Sequence, residues 1–171
     1  MGATVCARER GGSVSGFASE RGVMVGQVAT TREEMLRLIA QRAVEVGVAA
    51  DAEAVLSALL AREELGETGM TDGFAVPHAK SAAIAEAAVL VVKNDRPVEW
   101  PSFDDKPVDI AVALLVPEAD ASDVHMRLLS RTAVLLMRDE FKRLVRDTDD
   151  PHAIADAINE GLDEGLDLAT E

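Results

Sequence analysis

Two stretches of the chain, Ala87–Val92 and Ile110–Pro117, run without a polar residue. Runs of strand length that lack in–out alternation need cover on both faces of the sheet they build. Segments of helical period lie before and after them. The expected fold class is therefore α/β, a three-layer α/β/α sandwich with a central mixed β-sheet. With four Phe, one Trp and no Tyr, its core must come from Ala, Val, Leu and Ile. Neither run is long enough to span a bilayer.

The chain has 171 residues, which suits one domain. Residues 1–22 are rich in Gly, Ser, Arg and Glu and are expected to form a flexible N-terminal extension; 23–161 form the domain, and 162–171 an acidic C-terminal tail. Val23–Val28 alternates weakly, as an opening strand would. Thr30-Thr31 followed by Glu33-Glu34 signals a helix start, with apolar positions running on to Val46 and a stop at Gly47. Asp51 caps a second helix to about Leu65, ended by Gly66. The loop Gly66–Asp72 leads to the short apolar stretch Gly73–Val76, stopped by Pro77, which puts His78 just beyond a strand end. Trp100–Pro107 reads as a loop between the two apolar strands. Later helices are expected from Ser122, over Glu140–Arg146, and from Pro151 to about Glu160, closed by Gly161.

A net charge of −14 argues against a nucleic-acid partner and against anionic membrane surfaces. A protein partner should present basic residues around its contact patch. Cys6 is the single cysteine, so no intrachain disulfide exists, in keeping with a reducing, cytoplasmic setting. The amino terminus has no apolar signal region. The chain also lacks a nucleophile elbow, a metal-binding helix motif and a Walker loop.

Of three histidines, His152 falls in the first turn of a terminal helix in polar company and reads as structural or solvent-facing. His78 follows a strand end stiffened by Pro77, with Lys80 two residues on. His125 falls in the first turn of the helix beginning near Ser122, where free N–H groups and the helix dipole favour a phosphate. Two histidines that each follow a strand end can converge on one pocket at the same sheet edge.

The segment Arg62-Glu63, Thr68-Gly69 and Gly73-Phe74-Ala75-Val76-Pro77-His78 resembles the active-site signature of the fructose–mannitol type enzyme IIA (EIIA type 2) of the sugar phosphotransferase system. In that family an Arg-Glu pair and a loop precede Gly-x-Ala-[IV]-Pro-His. His125-Met126-Arg127-Leu128-Leu129 is similar to its second feature, a histidine opening an apolar helix. The resemblance covers Val23 to Gly161. The loop Gly69-Met70-Thr71-Asp72-Gly73 departs from the commoner Gly-Ile-Gly form.

The resemblance implies a phosphotransferase that carries phosphate on His78. The phosphoryl group would come from the histidine phosphocarrier protein and go to a fructose-type enzyme IIB, usually onto a cysteine, for uptake of fructose or a related sugar. His125 would stabilise the phosphoryl group, and Arg62 would bind near it. No cofactor, metal or direct membrane insertion is implied. For this role His78 is expected to be accessible, with Phe74 and Met70 on an apolar rim. Two alternatives stay open: a nitrogen-regulatory enzyme IIA that controls other proteins, and a non-catalytic interaction module of the same fold.

Overall fold

The computed structural model describes residues 16–169, with the side chains of 120–125 and 163–169 outside the description. Cys6 therefore lies outside the described residues. In chain order the elements are β1 (Ala18–Gln27), α1 (Arg32–Glu45), α2 (Ala52–Leu65), β2 (Phe74–Ala75), β3 (His78–Ser81), β4 (Ala88–Val98), β5 (Val108–Pro117), α3 (Ala121–Leu135), α4 (Asp139–Asp147) and α5 (Pro151–Ala169). A single 3-10 turn, Glu118–Asp120, links β5 to α3.

The sheet is mixed. β4 pairs antiparallel with β5, while β1 lies parallel to β4, and β2 and β3 lie parallel to β5. β2 and β3 are two pieces of one edge. Phe74 faces Ile110 and His78 faces Leu114, so the register is the same on both sides of the break. The break falls at Val76-Pro77, and Pro77 has no N–H to give the ladder; its carbonyl still accepts from Leu114 N at 3.0 Å.

The two apolar strands divide their side chains by parity. Leu90, Val92, Ala111, Ala113 and Leu115 meet Met35, Leu36 and Ile39 of α1 and Val55, Leu56 and Leu59 of α2. Val89, Val91, Ile110, Val112 and Leu114 meet Leu128 and Leu135 of α3, Phe141 and Val145 of α4, and Ile154 and Ile158 of α5. Strand side chains alternate between faces, so an all-apolar strand is buried from both sides. That is the three-layer arrangement the sequence predicts.

Local signals fix the helix starts that serve the site. Thr31 Oγ1 accepts from Glu34 N at 3.1 Å, and Glu34 Oε1 accepts from Thr30 N at 2.7 Å. Asp51 Oδ1 accepts from Glu53 N and Ala54 N, satisfying N–H groups that the first turn of α2 leaves open.

The boundaries of the fold differ from the sequence reading at both ends. The sequence places the first strand at Val23, but β1 begins at Ala18. The Asn159 side chain of α5 closes a two-way clamp on Ala18, its Oδ1 accepting from Ala18 N at 3.1 Å and its Nδ2 donating to Ala18 O at 2.8 Å. No local pattern reports a clamp from the far end of the chain. Likewise Gly161 does not end the last helix. α5 passes through it, and a Cβ there would lie 2.4 Å from Leu135 Cδ1, so the glycine lets α5 approach α3 closely.

Candidate active site

β3 opens with His78, at the edge of the sheet, on the face that carries Val76 and Leu114. The last turn of α2 reaches this edge. Arg62 Nε donates to His78 Nε2 at 2.9 Å, and Arg62 NH1 donates to the Gly66 carbonyl at 3.0 Å. On the other side of the ring, His78 Nδ1 lies 2.8 Å from the Val76 carbonyl.

These contacts assign the tautomer. A carbonyl only accepts and a guanidinium only donates. Nδ1 therefore carries the proton, and Nε2 presents its lone pair towards Arg62. A neutral imidazole with its lone pair directed at a cation is a nucleophile whose attacking atom is chosen in advance.

The sequence predicts an accessible His78; the structure corrects this. The residue is 6% exposed, with the half-buried Arg62 side chain set against its Nε2. Phe74 is corrected too. It is fully buried in the core under α4, with the Arg146 guanidinium 5.3 Å from its ring centre. Met70 is half-buried against the same core. Among the described residues, Leu65 is a large apolar side chain exposed beside Arg62; it precedes the Gly66 carbonyl that Arg62 holds.

The sequence expects His125 in the first turn of α3, but the helix starts at Ala121, so His125 is its fifth residue and opens the second turn, past the free N–H groups of the helix start; its side chain is outside the described residues. The backbone brings that turn to the relevant end of the sheet. β5 runs parallel to β3, ends at Pro117 opposite Ser81, and leads through one 3-10 turn into α3. Lys80 is exposed on β3, two residues beyond His78 and so on the same face. His152 stands apart on the surface, its Nδ1 3.2 Å from Glu20 and its Nε2 3.1 Å from Asp156.

The family profile for the phosphoenolpyruvate-dependent sugar phosphotransferase system, EIIA 2, matches residues 17–161. The chain belongs to this family.

EIIA domains are phosphocarriers that transfer phosphoryl groups. The chain is 33% identical over 132 residues to the 2-O-alpha-mannosyl-D-glycerate-specific EIIABC component of Escherichia coli, which covers 77% of the chain and 20% of that longer protein. It is 29% identical to the fructose-specific EIIA component of Haloferax volcanii (76% and 84% covered) and 34% identical to a nitrogen regulatory protein of Bradyrhizobium diazoefficiens (72% and 80% covered). Among solved structures, nitrogen regulatory protein IIA-Ntr of Neisseria meningitidis superposes with a TM-score of 0.76 at 22% identity, covering 83% of this chain and 96% of its own. The Escherichia coli mannitol IIA, solved in complex with phosphorylated IIB, gives 0.65 at 20% identity over 84% of this chain and 95% of its own. Sugar-specific and nitrogen-regulatory relatives thus stand side by side.

One part of this candidate site enters the sequence reading only as motif residues, Glu63 and Thr68, with no role given to either. Glu63, next to Arg62, is buried, and its Oε2 accepts from the Thr68 hydroxyl. Thr68 Oγ1 in turn accepts from Trp100 Nε1 at 3.3 Å. Glu63 Oε1 has no hydrogen-bond partner among the described residues and lies 3.5 Å from Arg32 NH1. Burial raises the Glu63 carboxyl above its ordinary value, opposed by the Thr68 hydroxyl and by the charges of Arg32 and Arg62. A sequence signal for it exists. Val55, Leu56 and Leu59 form the buried stripe of α2, and Glu63 continues that stripe one turn on.

Proposed function

We propose that this domain accepts a phosphoryl group on His78 Nε2 from a histidine phosphocarrier protein and passes it to an enzyme IIB, in the cytoplasm. In the first transfer the donor's N–P bond breaks as a new N–P bond forms to His78 Nε2. The donor nitrogen keeps the electron pair, and the proton on His78 Nδ1 stays beside the Val76 carbonyl. In the second, that N–P bond breaks towards a nucleophile such as the IIB cysteine thiolate, and Nε2 recovers its lone pair. The observation that carries the proposal is the paired hold on one ring, Arg62 at Nε2 and the Val76 carbonyl at Nδ1.

Little covalent work falls to the protein in such a transfer; positioning and charge stabilisation dominate. As the phosphoryl group arrives, the Arg62 guanidinium slides from Nε2 to the phosphoryl oxygens, which its planar fork suits. His125, at the start of α3, supplies a second contact from the end of the sheet. Leu65 gives an incoming protein an apolar anchor, and the net charge of −14 favours partners with a basic contact face. Among the described residues no helix is long and apolar enough to cross a membrane.

Fructose is the proposed sugar, after the Haloferax relative. The second reading, control of other proteins, draws on the nitrogen-regulatory relatives. The test is to phosphorylate the domain and add a fructose-type IIB from the same cell. Phosphate moving to IIB, with fructose uptake lost on deletion of the domain, supports the transport role. Phosphate that stays on the domain, with uptake unchanged, supports the regulatory one.

A further inference from the structure

The neighbours Arg62 and Glu63 leave the last turn of α2 about 100° apart, and both act on His78. Arg62 touches the ring. Glu63 reaches it through a hydrogen-bonded relay whose direction the donor inventory determines. The indole N–H of Trp100 can only donate, so Thr68 Oγ1 accepts it and its own proton goes to Glu63 Oε2. The Thr68 carbonyl accepts from Val76 N at 2.9 Å, and the Val76 carbonyl faces His78 Nδ1 at 2.8 Å. Pro77 follows Val76 and restricts its backbone, so orienting the Val76 peptide orients the carbonyl.

From this relay we infer that Glu63 and Thr68 are positioning residues for phosphoryl transfer, holding the Val76 carbonyl so that His78 keeps its proton on Nδ1 and its lone pair on Nε2. The inference rests on the proposed role of His78 as phosphoryl acceptor. Without an acceptor for its proton the buried Thr68 hydroxyl is left unsatisfied, and the loop moves to relieve it. The same loop carries Gly69, whose backbone lies so close to Pro101 and Ser102 that a Cβ would meet Pro101 O at 2.3 Å. The Thr68 carbonyl is therefore placed by its side-chain bonds and by this close packing together.

The test uses the full chain with 15N-labelled histidine, and imidazole 1H–15N correlations assigned with His125→Gln and His152→Gln. Wild type should show His78 in the Nδ1–H form. Glu63→Ala and Thr68→Val should raise the Nε2–H fraction of His78 severalfold and slow phosphorylation by the phosphocarrier about tenfold, the scale of one unpaired buried polar group, with KM for the phosphocarrier unchanged. Thr68→Ser, which keeps the hydroxyl, should restore both readings. Glu63→Gln, which keeps an acceptor for Thr68, is the control and should match wild type in both readings. Circular dichroism identifies any variant that fails to fold, and Thr68→Ala, which also removes the hydroxyl, then serves in its place. In the variants that remove the Glu63 acceptor or the Thr68 hydroxyl, a change in rate without a change in tautomer, a change in tautomer without a change in rate, or no change in either overturns the inference, as does a Glu63→Gln variant that departs from wild type in both. Failure of wild type to be phosphorylated on His78 overturns the proposed function instead, and the tautomer spectra tell the two failures apart.

Discussion

Arg62 donates its Nε–H to Nε2 of His78 across 2.9 Å, so the cation and the imidazole lone pair are in direct contact. Under the proposed function, this arrangement screens the nucleophile from water and keeps a charge-stabilising group within reach of the phosphorus. Removing such a donor costs about 10²–10³-fold in rate where it acts on developing charge. Arg62→Ala should therefore slow phosphorylation by about that factor while leaving the fold intact. Arg62→Lys should recover only part, because an ammonium lacks the planar fork. Rapid-quench phosphorylation measures both, and an Arg62→Ala variant at wild-type rate contradicts the role.

Glu63 predicts a pH dependence of stability. Burial raises its carboxyl above the ordinary 4.5, so the folded chain holds that proton more tightly than the unfolded chain does. The resulting contribution favours folding below pH 4.5 and is lost as pH rises through the folded value. Glu63→Gln does not titrate. Urea unfolding across pH 4 to 8 should show wild type losing stability relative to Glu63→Gln as pH rises; a constant difference between the two contradicts the assignment.

Gly69 allows the site loop to lie against the β4–β5 connection. Gly69→Ala would force its Cβ onto the Pro101 carbonyl, a backbone atom that cannot step aside alone. Overpacking of this kind costs about 1–3 kcal/mol. Denaturant titration should show that loss, together with slower phosphorylation, because Thr68 sits one residue away.

Much of the fold is legible in the sequence for a local reason. The alternation of Val89 and Val91 against Leu90 and Val92, all apolar, already demands two covering layers. Thr31 and Asp51 announce their helices because a cap acts within a few residues. What local pattern misses is set across the chain. Ala18 joins the sheet through Asn159, and Gly161 answers to Leu135 instead of ending a helix. At the site, the motif brings out Arg62 and His78, and the structure sets them in contact. It gives no hint that Arg62 covers the ring, that Phe74 turns inward under Arg146, or that Glu63 is bound to Thr68. Those outcomes depend on which face of α2 and which side of the edge strand meet in space.

The cap at the start of α2 offers a control. Asp51 Oδ1 accepts from two first-turn N–H groups, remote from the Arg62 end of the helix. Asp51→Ala should lower stability by about 1 kcal/mol and leave the phosphorylation rate of the folded fraction unchanged. Thermal unfolding and the rapid-quench assay check the two halves separately; a lost rate at full stability contradicts this division between scaffold and site.

The most direct measurement is to incubate the domain with phosphoenolpyruvate, enzyme I and the histidine phosphocarrier, then locate the phosphate by 31P and 15N NMR under alkaline conditions that preserve phosphohistidine. The account predicts one phosphoryl group, bonded to Nε2 of His78, and none in His78→Ala with the fold retained. Phosphate on Nδ1, on another residue, or still accepted by His78→Ala would contradict it.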